Sequence, residues 1–267
     1  MGDLELIFDG ALARIRFAAP ARRNALDRAT WRALPETCAA IEARADALVV
    51  VVEGAGGHFS AGADIAEFET VYRDAEATRD YIDSIQAGLR ALASLDRPTI
   101  AAIEGSAIGG GLAVALCCDL RFVADDAHLA ITPARLGLLY GPIETSRLVT
   151  LIGPARAKDL LFSGRRVAPA EALAIGLVDR VVPAAELHGA VETYAAELAA
   201  LSQRSIRGAK RIVEALVSGV ALDDAALRAE VEDAAVGEDF REGRAAFAAK
   251  RAPRFGPPAG GRGRRRH

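Results

Sequence analysis

Three consecutive glycines, Gly109, Gly110 and Gly111, stand between two apolar runs, Thr99–Ile103 and residues 112–118. The first run is β-branched and reads as a buried strand ended by Gly105. The second reads as a helix, too short to span a membrane. Glycines at the mouth of a helix let backbone approach a ligand closely, because no Cβ intervenes. The first N–H groups of that helix have no intrahelical acceptor and stand at the positive end of its dipole. Such a place can hold an anion or a developing oxyanion. A glycine run also suits a linker or a close-packing corner, but apolar walls on both sides speak against a solvated linker. A phosphate loop has no support. No Gly-Lys-Ser/Thr follows, and the spacing is not Gly-x-Gly-x-x-Gly. A second glycine-rich loop, Gly62-Ala63-Asp64, follows another apolar run, residues 48–52.

The elements that must position these loops alternate between strand and helix. Residues 4–8 and 12–17 are alternating runs joined by Asp9-Gly10, which predicts a hairpin with a type I′ turn. Asp27 caps a helix to about residue 45, kinked by Pro35. Residues 48–52 form a fully buried strand. A long helix covers residues 74–94, and Pro98 ends the following turn. The strand at Thr99–Ile103, the short helix and a strand near 120–123 come next. Gly153-Pro154 opens a helix that Gly164 closes; Pro169 opens another that Gly176 closes. Residues 178–182 form a strand stopped by Pro183. Helical patterns alone follow, over residues 184–203, 206–218, 222–236 and 240–250. The alternation predicts an α/β fold with parallel pairing and right-handed crossovers. Spacing leaves open whether the sheet is flat or wound into a spiral. The expected divisions are a core over residues 1–183, a helical region over 184–256, and a disordered basic tail over 257–267.

The chain of 267 residues, about half of them apolar, suits one large domain or a domain with an appendage. A net charge of −3 gives no reason to expect nucleic acid. Cys38, Cys117 and Cys118 form no metal or redox pattern and read as buried small hydrophobes, which suits a reducing compartment. Asp3 and Glu5 occupy the place of a basic leader region, and no apolar run reaches a membrane-spanning length. A soluble, cytoplasmic protein is expected.

Along the chain stand Arg23-Asn24-Ala25-Leu26, Phe59-Ser60-Ala61-Gly62-Ala63-Asp64-Ile65, the stretch from Gly105 to Gly111, Cys118-Asp119-Leu120-Arg121 and Leu136-Gly137. Further on stand Gly153-Pro154-Ala155-Arg156-Ala157, Ala174-Ile175-Gly176-Leu177-Val178 and Glu242-Gly243-Arg244-Ala245-Ala246-Phe247. Taken together, these motifs resemble those of the crotonase, or enoyl-CoA hydratase/isomerase, superfamily. The resemblance implies a crotonase-type spiral of ββα repeats followed by a C-terminal helical trimerisation region, in a homotrimer or hexamer. It implies an acyl-CoA thioester, CoA being part of the substrate, with no metal or redox cofactor. By position, the two backbone N–H groups of the family's oxyanion hole fall on Ala63 and Gly110. The CoA path falls near Arg22, Arg23, Ala61, Asp64 and Ile65, with Phe247 and Lys250 reaching the nucleotide from the last helix, of the same or a neighbouring subunit. Surface charge is the alternative for both arginines and Lys250, and ordinary core for Phe247.

The departures bear on mechanism. Family hydratases carry a glutamate two residues after the third glycine, where this chain has Ala113. Their second glutamate falls on Pro133 or Ala134, depending on the anchor. Water addition needs a base and an acid, and these residues supply neither. Tyr140 and Glu144 remain, in the segment that opens a helix beside the family's acyl pocket. Glu144 has the alternative of a helix first-turn charge, Tyr140 that of core or interface filler. Tyrosine after Thr-Pro-x-x-Leu-Gly also resembles the family's methylmalonyl-CoA decarboxylases, which carry histidine where Ala63 stands. Three functions therefore compete: a lyase or isomerase with unusual acid–base groups, a decarboxylase of malonyl or methylmalonyl type, and a catalytically silent CoA-binding scaffold.

Overall fold

The computed structural model describes residues 3–256; the tail expected over 257–267 lies outside them. Nine strands and ten α-helices follow in order among the described residues: β1 (Leu4–Asp9), β2 (Leu12–Phe17), α1 (Arg28–Glu42), β3 (Val49–Gly54), α2 (Phe68–Val71), α3 (Ala75–Ala93), β4 (Thr99–Ile103), β5 (Ser106–Ile108), α4 (Gly110–Leu116), β6 (Leu120–Ala124), β7 (His128–Ala130), α5 (Pro142–Ser163), β8 (Arg166–Val167), α6 (Pro169–Ile175), β9 (Arg180–Val182), α7 (Leu187–Ala200), α8 (Gln203–Val217), α9 (Ala225–Ala235) and α10 (Glu238–Ala248).

Six strands form one sheet in the order β1-β2-β3-β4-β6-β9, and three form a second in the order β5-β7-β8. Only β1–β2 and β7–β8 are antiparallel. The chain crosses from large to small sheet at β4 to β5 and at β6 to β7; α4 returns it from β5 to β6, and α6 returns it from β8 to β9. Isolated parallel bridges, Leu26 to Ala63 and Ser60 to Ala107, continue the small sheet through two earlier turns. This is the expected spiral of ββα repeats. Continuous apolar runs in β3 and β4 are buried on both faces.

The local signals act where the chemistry says they should. Asp27 accepts from the Thr30 N–H and Asp74 from the Glu76 and Ala77 N–H groups, fixing the starts of α1 and α3. Gly164 and Gly176 take left-handed φ of 57° and 80° and end α5 and α6. Gly153 (φ 76°, ψ 162°) breaks α5, so a fresh helical segment starts at Pro154.

Three expectations are corrected. The hairpin turn is not type I′: Gly10 has φ 56°, but Ala11 is not among the residues of positive φ, as in type II′. α1 runs on past Pro35 and stops at Glu42, three residues short of the expected end. α4 starts at Gly110, inside the glycine run, two residues earlier than the apolar pattern suggests. β5, β7 and β8 are too short to show periodicity.

Beyond residue 184, α7 lays its buried Leu187, Val191 and Ala195 against β3, β4 and β6. The helices after it carry much exposed apolar surface, including Val213, Val217, Val231, Phe240 and Phe247, and Leu222 and Val236 are exposed in the connections between them. No helix of the described residues is long and apolar enough to cross a membrane.

Candidate active site

Two loops that cross between the sheets bring Ala63 and Gly110 together. A Cβ added to Gly110 would lie 3.5 Å from the Ala63 nitrogen and 3.2 Å from Cζ2 of Trp31. A Cβ on Gly62 would lie 3.4 Å from the Gly110 nitrogen and 2.6 Å from the Ile108 carbonyl oxygen. At position 62 only glycine fits such an approach, and Gly62 also has φ 95°. Gly110 is the first residue of α4, so its N–H has no helical acceptor. The bridge to Leu26 uses the Gly62 carbonyl and the Asp64 N–H, leaving the Ala63 N–H outside it. Among the described residues neither the Ala63 nor the Gly110 N–H has an acceptor. Two neighbouring free donors on rigid backbone can stabilise one oxygen as it gains charge.

Side chains that were quoted within motifs, but given no role from sequence, hold these loops. Asn24, buried at φ 56°, accepts from the Ala19 N–H and donates to the carbonyls of Ala55 and His58. The buried Ser60 hydroxyl donates to the Asn24 carbonyl (2.7 Å) and accepts from the Gly62 N–H (3.1 Å). Ser60 also fills the space a Cβ on Gly111 would need. Its strand-like pairing with β5 was the missing signal: Ser60 bonds Ser106 and Ile108.

The stretch carrying Arg22 and Arg23 lies along the loop carrying Ala61 and Asp64. The Ala61 N–H donates to the Arg23 carbonyl at 2.8 Å, and Arg22 pairs with Asp64, Asp3 and Asp27. Ile65 is exposed beside them. Phe247 and Lys250 are not brought to this edge by contacts within one chain. Phe247 is 88% exposed on α10, so it is not core, and Lys250 follows that helix at φ 51°.

Ala113 is buried in α4, and Pro133 opens a short 3-10 turn. The Tyr140 hydroxyl donates to the Gly109 carbonyl at 2.6 Å. Burial raises its pKa well above the usual value, and the charge of Glu144, then Cys117, adds to this. Glu144 is buried at the start of α5, where one carboxylate oxygen accepts from the Gly141 N–H (2.6 Å) and the other from Nε2 of Gln86 (3.0 Å). That is half a capping box, a structural use consistent with the first-turn alternative.

Comparison with known proteins follows the same lines. A family model described as Enoyl-CoA hydratase/isomerase matches residues 8–258. The solved structure of an enoyl-CoA hydratase/carnithine racemase from Magnetospirillum magneticum is 33% identical, with a TM-score of 0.91 over 96% of each chain. An enoyl-CoA hydratase structure from Bacillus anthracis is 32% identical, with a TM-score of 0.86 over 95% of this chain and 98% of that one. The mitochondrial enoyl-CoA hydratase domain-containing protein 2 of Bos taurus is 34% identical over 91% of this chain and 84% of its own.

Proposed function

The chain belongs to the enoyl-CoA hydratase/isomerase family, and from that premise we propose that it processes acyl-CoA thioesters by holding the thioester oxygen between the N–H groups of Ala63 and Gly110. The observation that carries this is the pair of neighbouring, unpaired donors on two glycine loops. As a proton or a carbon substituent leaves the α-carbon, negative charge moves onto that oxygen, and the donors stabilise the enolate. CoA enters as part of the substrate, along the edge of Arg22, Arg23, Ala61, Asp64 and Ile65.

Efficient hydration does not fit the side chains. Ala113 and Pro133 cannot carry protons. Tyr140 has its proton committed to Gly109 and its pKa raised, so it is a poor base. Both oxygens of Glu144 are occupied by N–H donors. Each absent acid or base typically removes about 10²- to 10⁴-fold in rate. The test is hydration of crotonyl-CoA by purified protein, followed by product detection. Slow or absent hydration is expected, and a rate usual for a two-carboxylate hydratase refutes the reading.

A second reading, a malonyl- or methylmalonyl-type decarboxylase, is favoured by Tyr140 beside the Gly109–Gly110 loop. There the bond to the carboxylate breaks, CO₂ leaves, the electron pair forms the enolate, and one proton from solvent completes the product. The buried Glu144 charge opposes a carboxylated acyl group close by. The same screen with malonyl-type CoA esters decides between them, and absence of all turnover favours a silent CoA-binding scaffold. We also infer a homotrimer or hexamer, supported by exposed apolar residues of α8 to α10. Light scattering that gives only monomer at micromolar concentration refutes this.

A further inference from the structure

We propose that Tyr140 is a positioning residue that strengthens and orients the Gly110 N–H through the peptide bond it shares with the Gly109 carbonyl. The inference rests on the reading of Gly110 as a donor to the acyl oxygen.

The carbonyl of Gly109 and the N–H of Gly110 belong to one planar, conjugated unit. A donor at the carbonyl oxygen draws density towards that oxygen and leaves the N–H on the opposite side a better donor, as in any chain of hydrogen bonds. Tyr140 supplies such a donor at 2.6 Å, and the Ala113 N–H takes the same oxygen at 3.0 Å. Gly109 itself has φ 50° and ψ −114°, a conformation for which glycine is suited and which gives no intrinsic hold on the peptide plane. The phenol, anchored just before α5, fixes that plane from outside the helix.

The other donor is built on the same plan. The Ala63 N–H shares its peptide with the Gly62 carbonyl, which accepts from the Leu26 N–H at 2.7 Å. Each donor peptide therefore has its carbonyl bonded on the side away from the ligand. In one loop the partner is backbone and cannot be deleted by substitution. In the other a side chain joins the backbone N–H of Ala113, and removing one oxygen atom tests the side chain's share.

Direct proton donation fits less well. The phenol has one proton, and it is spent on Gly109. Giving it up would leave a phenolate in a buried place beside Glu144, whose charge opposes it.

The experiment uses the full chain and 2,4-hexadienoyl-CoA, whose absorption moves to the red when its carbonyl is polarised. Wild-type protein is expected to bind it with a red shift. Tyr140→Phe is expected to keep its melting temperature within a few degrees and its affinity for free CoA. It should lose part of the red shift and bind hexadienoyl-CoA about 3- to 10-fold more weakly, the usual size of one hydrogen bond's net effect. Replacement of Tyr140 by 3-fluorotyrosine, a stronger donor of the same shape, should restore or enlarge the shift, and it keeps the test available if the phenylalanine variant folds poorly. An unchanged red shift in both variants overturns the proposal, whether turnover falls (a proton donor to substrate) or stays (a packing residue). Binding by wild type without any red shift, or no binding, overturns the acyl-oxygen reading of Gly110 itself, a different failure from the first.

Discussion

Gly62→Ala is the sharpest probe of the loop crossing. Its Cβ would sit 2.6 Å from the Ile108 carbonyl oxygen, and that atom is backbone, so no rotamer change relieves the contact. Ordinary contact begins near 3.4 Å, so the loops must separate by several tenths of an ångström. Alanine at φ 95° adds a backbone cost of about 1–2 kcal/mol, and overpacking adds about 1–3 kcal/mol. The sum is roughly 2–5 kcal/mol of stability. Gly57→Ala is the control: its φ is 78°, but a Cβ there meets nothing within 4 Å, so it should lose only the backbone part. Urea denaturation measures both. Because Gly62 lies against Gly110, the alanine should also loosen acyl-CoA binding relative to free CoA, read by calorimetry, whereas Gly57→Ala should not. Equal stability and equal acyl-CoA affinity in the two variants would refute the argument that this approach, not φ alone, requires glycine.

Gly110→Pro removes one donor at a first helical position that proline fits; it should fold and lose turnover about 10²- to 10³-fold, measured on whichever acyl-CoA ester proves active. Glu144→Gln should cost about 1 kcal/mol in urea denaturation through its weakened cap and leave turnover intact, since both its oxygens are structural; loss of turnover at unchanged stability would make it an acid or base. Burial pushes the Cys38 and Cys117 thiols up to about 12, and Cys118 higher still. None of the three should react with iodoacetamide at pH 8.5 until urea is added, as mass spectrometry can count. Their folded pKa values lie above the unfolded one, so the stability they contribute is present below pH 9 and is lost as pH rises from 9 through 12; denaturation midpoints between pH 8 and 10.5 test that sign.

Several elements were legible because a breaker or cap stood at each end. β4 is bounded by Pro98 and Gly105, and α3 by Asp74 and Ser94. The small sheet was not, since strands of two or three residues carry no period. A helix over residues 184–203 was readable, but not that α7 covers the large sheet. The glycine loops announced a donor site, yet the Asn24–Ser60 tie that sets them was hidden. Its partners lie as far apart in sequence as Ala19 and Gly62, and each bond depends on register between turns. Glu144 was ambiguous for a related reason. Its partner cap is Gly141, which lacks the hydroxyl that usually marks a capping box.

The two donors are main-chain atoms. A codon change replaces a side chain, and outside proline it cannot delete an N–H. On the proposed reading, the oxygen-holding half of the site is therefore shielded from most single substitutions, provided the glycines that admit it persist. The proton-handling half is written in side chains and can be erased one residue at a time. A chain with alanine at 113 and proline at 133 can then retain the electronic work on a thioester while its proton traffic is free to be reassigned. On that reading, a change of reaction would begin from an intact oxyanion trap instead of from an empty cleft.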